Sequence, residues 1–184
     1  MISSQVTMVD EKELIKRVKV NKMAFLEIYD TYFLKIYNYI FYRTFNQTDA
    51  EELTSQTFLA ALENINRYEY RNIPLAVWLY KIASNAVKDF YRKKGSAVEV
   101  QETNSLADEG LSPEMVFLQK QEQEELLQQM RALPLLQGQA LVLRYLQELS
   151  YKEISVIMDK TEGSVKQLLH RGLSNLRERM VDHE

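Results

Sequence analysis

SYKEISVIMDKTEGSVKQLLHRGLSNLRERM, residues Ser150–Met180, is the stretch whose reading decides the fold class. Ser150-Tyr-Lys-Glu153 has the spacing of a capping box, in which a hydroxyl and a carboxylate each satisfy an amide that the first helical turn leaves free. It opens a helix over Tyr151–Met158, with Ile154, Ile157 and Met158 on one side. Asp159-Lys160 forms a short turn, and Thr161 is placed to cap a second helix, Glu162–Met180. Val165, Leu169, Leu173, Leu176 and Met180 recur on one face of it, and Gly172 allows a neighbour to approach closely. At 100° per residue Ser164, Gln167, Arg171 and Ser174 fall on the opposite side, with Lys166 and His170 along its edge. Two helices on a tight turn, the second with a polar and basic face, have the form of a helix-turn-helix. Lysine or arginine can donate to guanine edges and glutamine can pair with adenine in a major groove. Such a face is also what any solvated amphipathic helix presents, and His170 alone reads as an ordinary surface residue.

Upstream the same helical period persists. Residues Phe25, Ile28, Tyr29, Tyr32, Phe33, Ile36, Tyr37 and Ile40 trace one broad apolar stripe. Thr48-Asp-Ala-Glu51 is predicted to cap a second helix with Leu53, Phe58, Leu59 and Leu62 as its apolar members. After a break at Arg67–Pro74, Leu75–Lys94 places Val77, Trp78, Ile82, Ala83, Ala86 and Phe90 inward, and Lys81, Lys88, Arg92 and Lys93 outward. Gly95–Leu111 (GSAVEVQETNSLADEGL) has no sustained period and reads as a linker. Ser112-Pro113 supplies an N-cap and a first-turn proline for a helix running to about Leu133, and Gln137–Leu146 is a further helix beyond Pro134. No strand-like alternation occurs. The expectation is an all-α protein of two small helical domains, 10–95 and 113–184, joined by a flexible acidic linker, 96–112.

Composition excludes several classes of function. The 184 residues contain no cysteine, so disulfides and thiolate metal sites are absent, and two histidines are too few for an imidazole zinc site. No metal site and no cofactor are expected. No apolar run approaches the roughly 20 residues of a membrane helix, and Met1–Arg17 lacks the pattern of a signal peptide, so a cytoplasmic protein is expected. The net charge of -3 is unevenly distributed: residues 1–95 carry 14 Lys+Arg against 11 Asp+Glu, residues 96–125 carry 1 against 8, and residues 126–184 carry 8 against 7. The acidity sits in one middle segment, 96–125, and the flanking parts are mildly basic, so affinity for DNA would be weak for the chain alone.

Three stretches resemble segments of a known family. LPLLQGQALVLRYLQELSYKEISVIMDKTEGSVKQLLHRGLSNLRE (Leu133–Glu178) is similar to the promoter-reading C-terminal domain of extracytoplasmic-function (ECF) sigma factors, a group of the sigma-70 family. LSYKEIS followed by a turn and EGSVK–LHR carries that likeness. The resemblance implies contacts to the minus-thirty-five promoter element from Ser164, Lys166, Gln167, His170 and Arg171; Leu168 stands where the family often has arginine. In the other half, DAEELTSQTFLAALENINRY (Asp49–Tyr68) resembles the family's polymerase-clamp-binding helix. That implies polymerase contacts from Asp49, Glu51, Glu52, Ser55 and Gln56, with Gln56 at a place where glutamate is common. VWLYKIASNAVKDFYRKK (Val77–Lys94) resembles the segment beside the melted minus-ten element. Asn85 is then placed for a base, Lys88, Arg92 and Lys93 for phosphates, and Tyr70 and Asn72 for the wall around a flipped base. Trp78 fits stacking, yet its place in the apolar face makes it a core residue. The implied partners are core RNA polymerase, promoter DNA and an anti-sigma factor, with the linker passing through the polymerase's basic RNA-exit region.

A conventional helix-turn-helix regulator, with an N-terminal sensing or dimerisation domain and no need of polymerase, is the main alternative. An enzyme has little support: neither histidine lies beside a plausible nucleophile, and no glycine-rich phosphate loop or paired metal-ligand motif is present. A purely protein-binding adaptor would leave the basic cluster Asn85–Lys94 without purpose.

Overall fold

The computed structural model describes residues 8–69, 73–94 and 125–181. Among these residues every regular element is helical. Helix α1 spans Met8–Val20, α2 Phe25–Thr44, α3 Gln47–Asn64 and α4 Leu75–Lys94. In the second half residues 125–131 form α5. Helix α6 covers Leu135–Leu141 and continues as a π-type turn through Val142–Leu146, followed by α7, Tyr151–Met158, and α8, Glu162–Val181. The expected linker and the Ser112-Pro113 helix start lie outside the described residues.

Helix α1 is an element that the sequence reading had not assigned. It buries Leu14, Ile15 and Val18, and its Glu11 is 5% exposed. The Glu11 carboxylate accepts from the Tyr32 hydroxyl at 2.8 Å and from the Leu75 amide at 3.0 Å. It thus caps α4 from a distant part of the chain, answering one of the amides that a helix start cannot satisfy internally. Lys19 adds a second tie by donating to the Tyr68 carbonyl at 2.6 Å.

The start of α3 differs from the expectation. Asn46, not Thr48, is the N-cap, with its side-chain oxygen accepting from the Asp49 amide at 2.9 Å. Asparagine is as good a cap as threonine or better, and it sits just after Phe45, whose left-handed φ of 51° ends α2. The acidic residues Asp49, Glu51 and Glu52 therefore sit in the opening turns of α3, where the helix dipole favours negative charge.

The apolar stripe of α2 divides into two. Ile28, Ile36, Tyr39 and Ile40 are fully buried. Tyr29, Phe33, Tyr37 and Phe41 form a half-exposed ladder in which successive ring centroids lie 5.0, 6.2 and 6.2 Å apart, with Phe58 of α3 packed on its first two rungs. On α3, Leu59 is 57% exposed rather than inward.

The C-terminal helices follow the predicted order. Ser150 and Glu153 form both halves of the capping box, and Gly172 packs so tightly that a Cβ there would meet Leu141 Cδ1 at 3.1 Å. The two halves also pack on each other. Gln139, 3% exposed, donates to Ser84 Oγ at 2.7 Å and to the Tyr39 hydroxyl at 3.1 Å, and Tyr80 donates to Gln147 at 2.6 Å. Buried residues of both halves belong to one continuous apolar cluster.

Removing the Glu11 carboxylate should strand two buried donors. Glu11→Ala is expected to lower stability by about 2 kcal/mol, read as an earlier urea midpoint, whereas Glu11→Gln, which keeps an acceptor oxygen, should recover much of the loss.

Candidate nucleic-acid interface

The geometry of α8 is set from beneath. Helix α7 ends at Asp159 in a left-handed conformation, φ 53° and ψ 49°, a position that aspartate tolerates better than most residues. The turn lets Thr161 Oγ1 accept from the Ser164 amide at 3.1 Å and start α8. Val165 is fully buried and Leu169 is 5% exposed, so the helix cannot roll about its axis without losing its core. Lys166, Gln167, His170 and Arg171 consequently stand on the solvent side. Ser164 is half-buried and its hydroxyl lies 2.9 Å from Thr161 Oγ1, so it belongs partly to the cap. Lys166 Nζ lies 5.3 Å from the Tyr151 ring centroid, which holds the ammonium near the start of the helix. Leu168 packs half-buried against the core.

On α4, Asn85, Arg92 and Lys93 are exposed and Lys88 is half-buried. Arg92 pairs with Asp89 at 3.1 Å. Trp78, expected in the core, is only half-buried: its ring lies 4.6 Å from Tyr68, tilted by 44°. Two hollows flank this aromatic pair. One of about 290 Å³ is lined by Tyr68, Ile73, Trp78 and Lys81, with Val156 of the other half at its rim. One of about 380 Å³ is lined by Asn64, Arg67, Tyr68, Trp78, Ile82 and Asn85. The sequence pointed to Asn85; the hollow beside it needed the tertiary meeting of α3, α4 and Tyr68 to become visible. Tyr70 and Asn72 lie outside the described residues.

Lys81, expected outward with the other cations, turns toward the second half. Its ammonium donates to the carbonyls of Val156 at 3.3 Å and Ile157 at 3.2 Å and pairs with Asp159. Cationic donors are favoured at the C-terminus of a helix, where carbonyls lack partners, and the last turn of α7 supplies such carbonyls. Through that contact Lys81 holds the Asp159 carboxyl below its usual range.

Helix α3 presents a third face. Glu51, Glu52, Ser55 and Gln56 are exposed, while Asp49 is half-buried and paired with Lys94 at 3.0 Å. Gln47 donates to Glu51 at 2.9 Å and Gln56 to Glu52 at 3.0 Å, pairs that orient the carboxylates along the helix. Exposed Leu59 continues this face by one turn, and the half-exposed ladder of α2 lies alongside Phe58. An acidic rim beside apolar and aromatic surface is a composition suited to a protein partner.

Among the described residues there is no group of three or more histidine, aspartate or glutamate side chains placed for a metal ion, and no helix long and apolar enough to cross a membrane. Comparison with known proteins then fixes the family. Residues 28–97 match the model of sigma-70 region 2, and residues 123–176 match that of sigma-70, region 4. The chain is 35% identical over 174 residues to the ECF RNA polymerase sigma factor BldN of Streptomyces coelicolor, covering 92% of this chain and 66% of BldN. It is 32% identical over 182 residues to the ECF RNA polymerase sigma factor SigW of Bacillus subtilis, covering 93% of this chain and 97% of SigW. The chain belongs to the ECF sigma factors. In fold, it is similar to the sigma factor RpoE of Bartonella quintana, solved in complex with the anti-sigma factor NepR, with a TM-score of 0.71 at 18% identity over 85% of this chain and 96% of that one. The protein is therefore a transcription initiation factor that directs RNA polymerase to promoters, and the conventional operator-binding regulator is not favoured.

The cap that starts α8 of this sigma factor is a single hydroxyl, Thr161 Oγ1. Thr161→Ala should cost about 1 kcal/mol, measured as a shift of the urea midpoint, and Thr161→Ser should leave the midpoint close to that of the parent.

Proposed function

We propose that the two polar helix faces divide promoter reading between them. In this reading α8 enters the major groove of the minus-thirty-five element, with Lys166, Gln167, His170 and Arg171 toward the DNA and Ser164 at the helix start. Helix α4 meets the melted minus-ten strand: Asn85 contacts a base edge, Lys88, Arg92 and Lys93 hold phosphates, and Tyr70 and Asn72 belong to the wall of the base pocket. The observation that carries the assignment is the solvent exposure of Lys166, Gln167, His170 and Arg171 above a buried Val165–Leu169 floor. A helix fixed in roll with its donors outward is what base reading requires. For α4, the supporting feature is Asn85 at the edge of the hollow beside Tyr68 and Trp78. An unstacked base needs an apolar or aromatic wall and a polar group for its edge, and both occur there.

Glu51, Glu52, Ser55 and Gln56 are assigned to core polymerase, with Asp49 shared between that surface and its ion pair with Lys94. Leu59 extends the same surface as an apolar anchor. The domain limits that accompany this reading are 10–95 for clamp binding and minus-ten recognition, 96–112 for the acidic linker and 113–184 for minus-thirty-five recognition. The modest basic charge of residues 1–95 and 126–184 makes polymerase the necessary partner, because two weak contacts held on one scaffold gain effective concentration. The protein works in the cytoplasm, without a catalytic step or cofactor of its own. An anti-sigma factor, the class of protein with which the Bartonella relative was solved in complex, is assigned as a further partner that holds this chain inactive.

Run-off transcription with core polymerase on a promoter library tests the division. Lys166→Ala should change the preferred upstream element and Asn85→Ala the preferred melted element; a uniform loss across all promoters from either would refute the base assignments. Leu59→Asp should weaken binding to core polymerase by about tenfold in a fluorescence-anisotropy titration. Its urea midpoint should barely move, since Leu59 is largely exposed in the free protein.

A further inference from the structure

Four cations converge on one cavity. It measures about 620 Å³ and lies where the end of α2 and the last turns of α4 meet residues 130–135. Arg43, Lys88, Arg92 and Arg131 line it together with Phe45 and Tyr91, and among the described residues no aspartate or glutamate does so. The nearby carboxylates are engaged outside the lining: Asp49 pairs with Lys94 at 3.0 Å and Asp89 with Arg92 at 3.1 Å. The second pair uses one nitrogen of Arg92, whose side chain is 76% exposed. Among the described residues Lys88 makes no ion pair. Arg131 is held in place by donating to the Phe45 carbonyl at 3.0 Å, with its guanidinium carbon 5.5 Å from the centroid of the Phe45 ring. Arg43 is 6% exposed and donates to the Leu135 carbonyl at 2.8 Å, while its Nε–H is buried with no hydrogen-bond partner among the described residues. Like charges gathered in a concavity repel one another, and low-dielectric walls concentrate their field. Such an arrangement favours an incoming anion, and a buried arginine donor without a partner is a feature that an anion would satisfy.

We propose that this cavity of the free protein is a binding site for a compact polyphosphate anion, of the kind that a nucleoside triphosphate or an inorganic phosphate chain presents. Guanidinium groups match phosphate oxygens two at a time, and a lysine adds a point charge that suits the same group. A single phosphate reaches one or two of the four cations, whereas a chain of two or three phosphates can extend along them. The volume lies within the range of about 300–1,000 Å³ found for small-molecule sites. The Tyr91 hydroxyl is committed to the Arg43 carbonyl, so its ring is fixed and serves as wall rather than donor. Together with the 6% exposed Phe45, it supplies the apolar surface against which the ring of a nucleotide could rest. Lys88 and Arg92 are assigned above to the phosphates of the minus-ten strand, and the proposed ligand asks the same chemistry of them. The site does not depend on that assignment, because Arg43 and Arg131 have no part in it.

Titration calorimetry on the free full-length protein, without magnesium and at physiological ionic strength, tests the site with tripolyphosphate, ATP and inorganic phosphate as probes. Tripolyphosphate and ATP should each bind as a single molecule per chain with a Kd below about 100 µM. Inorganic phosphate should bind at least about tenfold more weakly, because it cannot extend along the cations. Tighter binding of ATP than of tripolyphosphate assigns the site to a nucleotide with its base on the Phe45 and Tyr91 wall; equal affinity assigns it to the phosphate chain alone. Arg92→Gln and Arg131→Gln should each weaken binding by about fivefold. Lys12→Gln, on α1, which contributes no lining residue, should leave it unchanged. Helical circular dichroism checks each variant, and the exposed Arg92 side chain gives a substitution that the fold tolerates should Arg131→Gln fail to fold. Absence of binding by both polyphosphates would overturn the site. Equal binding of inorganic phosphate would do so too, since it marks an adventitious ion only. An equal loss of affinity from Lys12→Gln would also overturn it, since it marks diffuse attraction to surface charge.

Discussion

Helix α4 is packed from two directions, and the rest of the molecule is arranged around that constraint. It packs on α2 and α3 of the first half and on α7 of the second, with Leu75, Leu79 and Val87 buried along it and Tyr80, Lys81 and Ser84 bonded to the second half. Its first turn is capped by Glu11 of α1. What remains for solvent is a strip bearing Asn85, Asp89, Arg92 and Lys93. A helix so constrained has little freedom to roll, so the residues on its open strip are presented in a fixed orientation. Preorganised polar groups need not be ordered when the ligand arrives, which suits a helix assigned to capturing a single strand.

Charge is handled differently on α8, on α3 and at the contact between the halves. On α8 the cations stand in water above an apolar floor, where they cost nothing to keep. On α3 the carboxylates stand near the helix N-terminus, so the residues read as a polymerase surface also stabilise the helix that carries them. At the contact between halves, by contrast, Arg43 is only 6% exposed, and among the described residues its Nε–H has no hydrogen-bond partner. Stability and function thus agree on α3 and α8.

The helix-turn-helix was legible because its signals are local: a capping box, a left-handed turn at Asp159 and a 3.6-residue period all lie within 31 residues. The order of the helices, and Asn85, Lys166, Gln167 and Arg171 as exposed positions, were legible for the same reason. What the sequence hid is non-local. Glu11 is one carboxylate among many until Leu75, 64 residues away, needs a cap. Lys81 has the same spacing as the outward cations, and only the presence of α7 turns it inward. Leu59 fits the apolar period of α3, but no element among the described residues covers it. The cap at Asn46 was misread as Thr48 because both residues precede a plausible helix start, and hydrogen-bond geometry alone distinguishes them.

The same non-locality explains why Trp78 resisted assignment. Its position in the apolar period of α4 is that of a core residue, and Val77 and Leu79 beside it are indeed buried. Trp78, however, meets Tyr68 at the edge of the first half, where α3 ends and the chain turns toward α4. An indole there is supported on one face and open to a hollow on either side. A large ring that is half-buried loses little entropy on meeting another flat ring, because packing has already fixed its torsions. Core and stacking roles are therefore compatible at Trp78: the face turned to Tyr68 stabilises the fold, and that support is what would hold the other surface steady against a base.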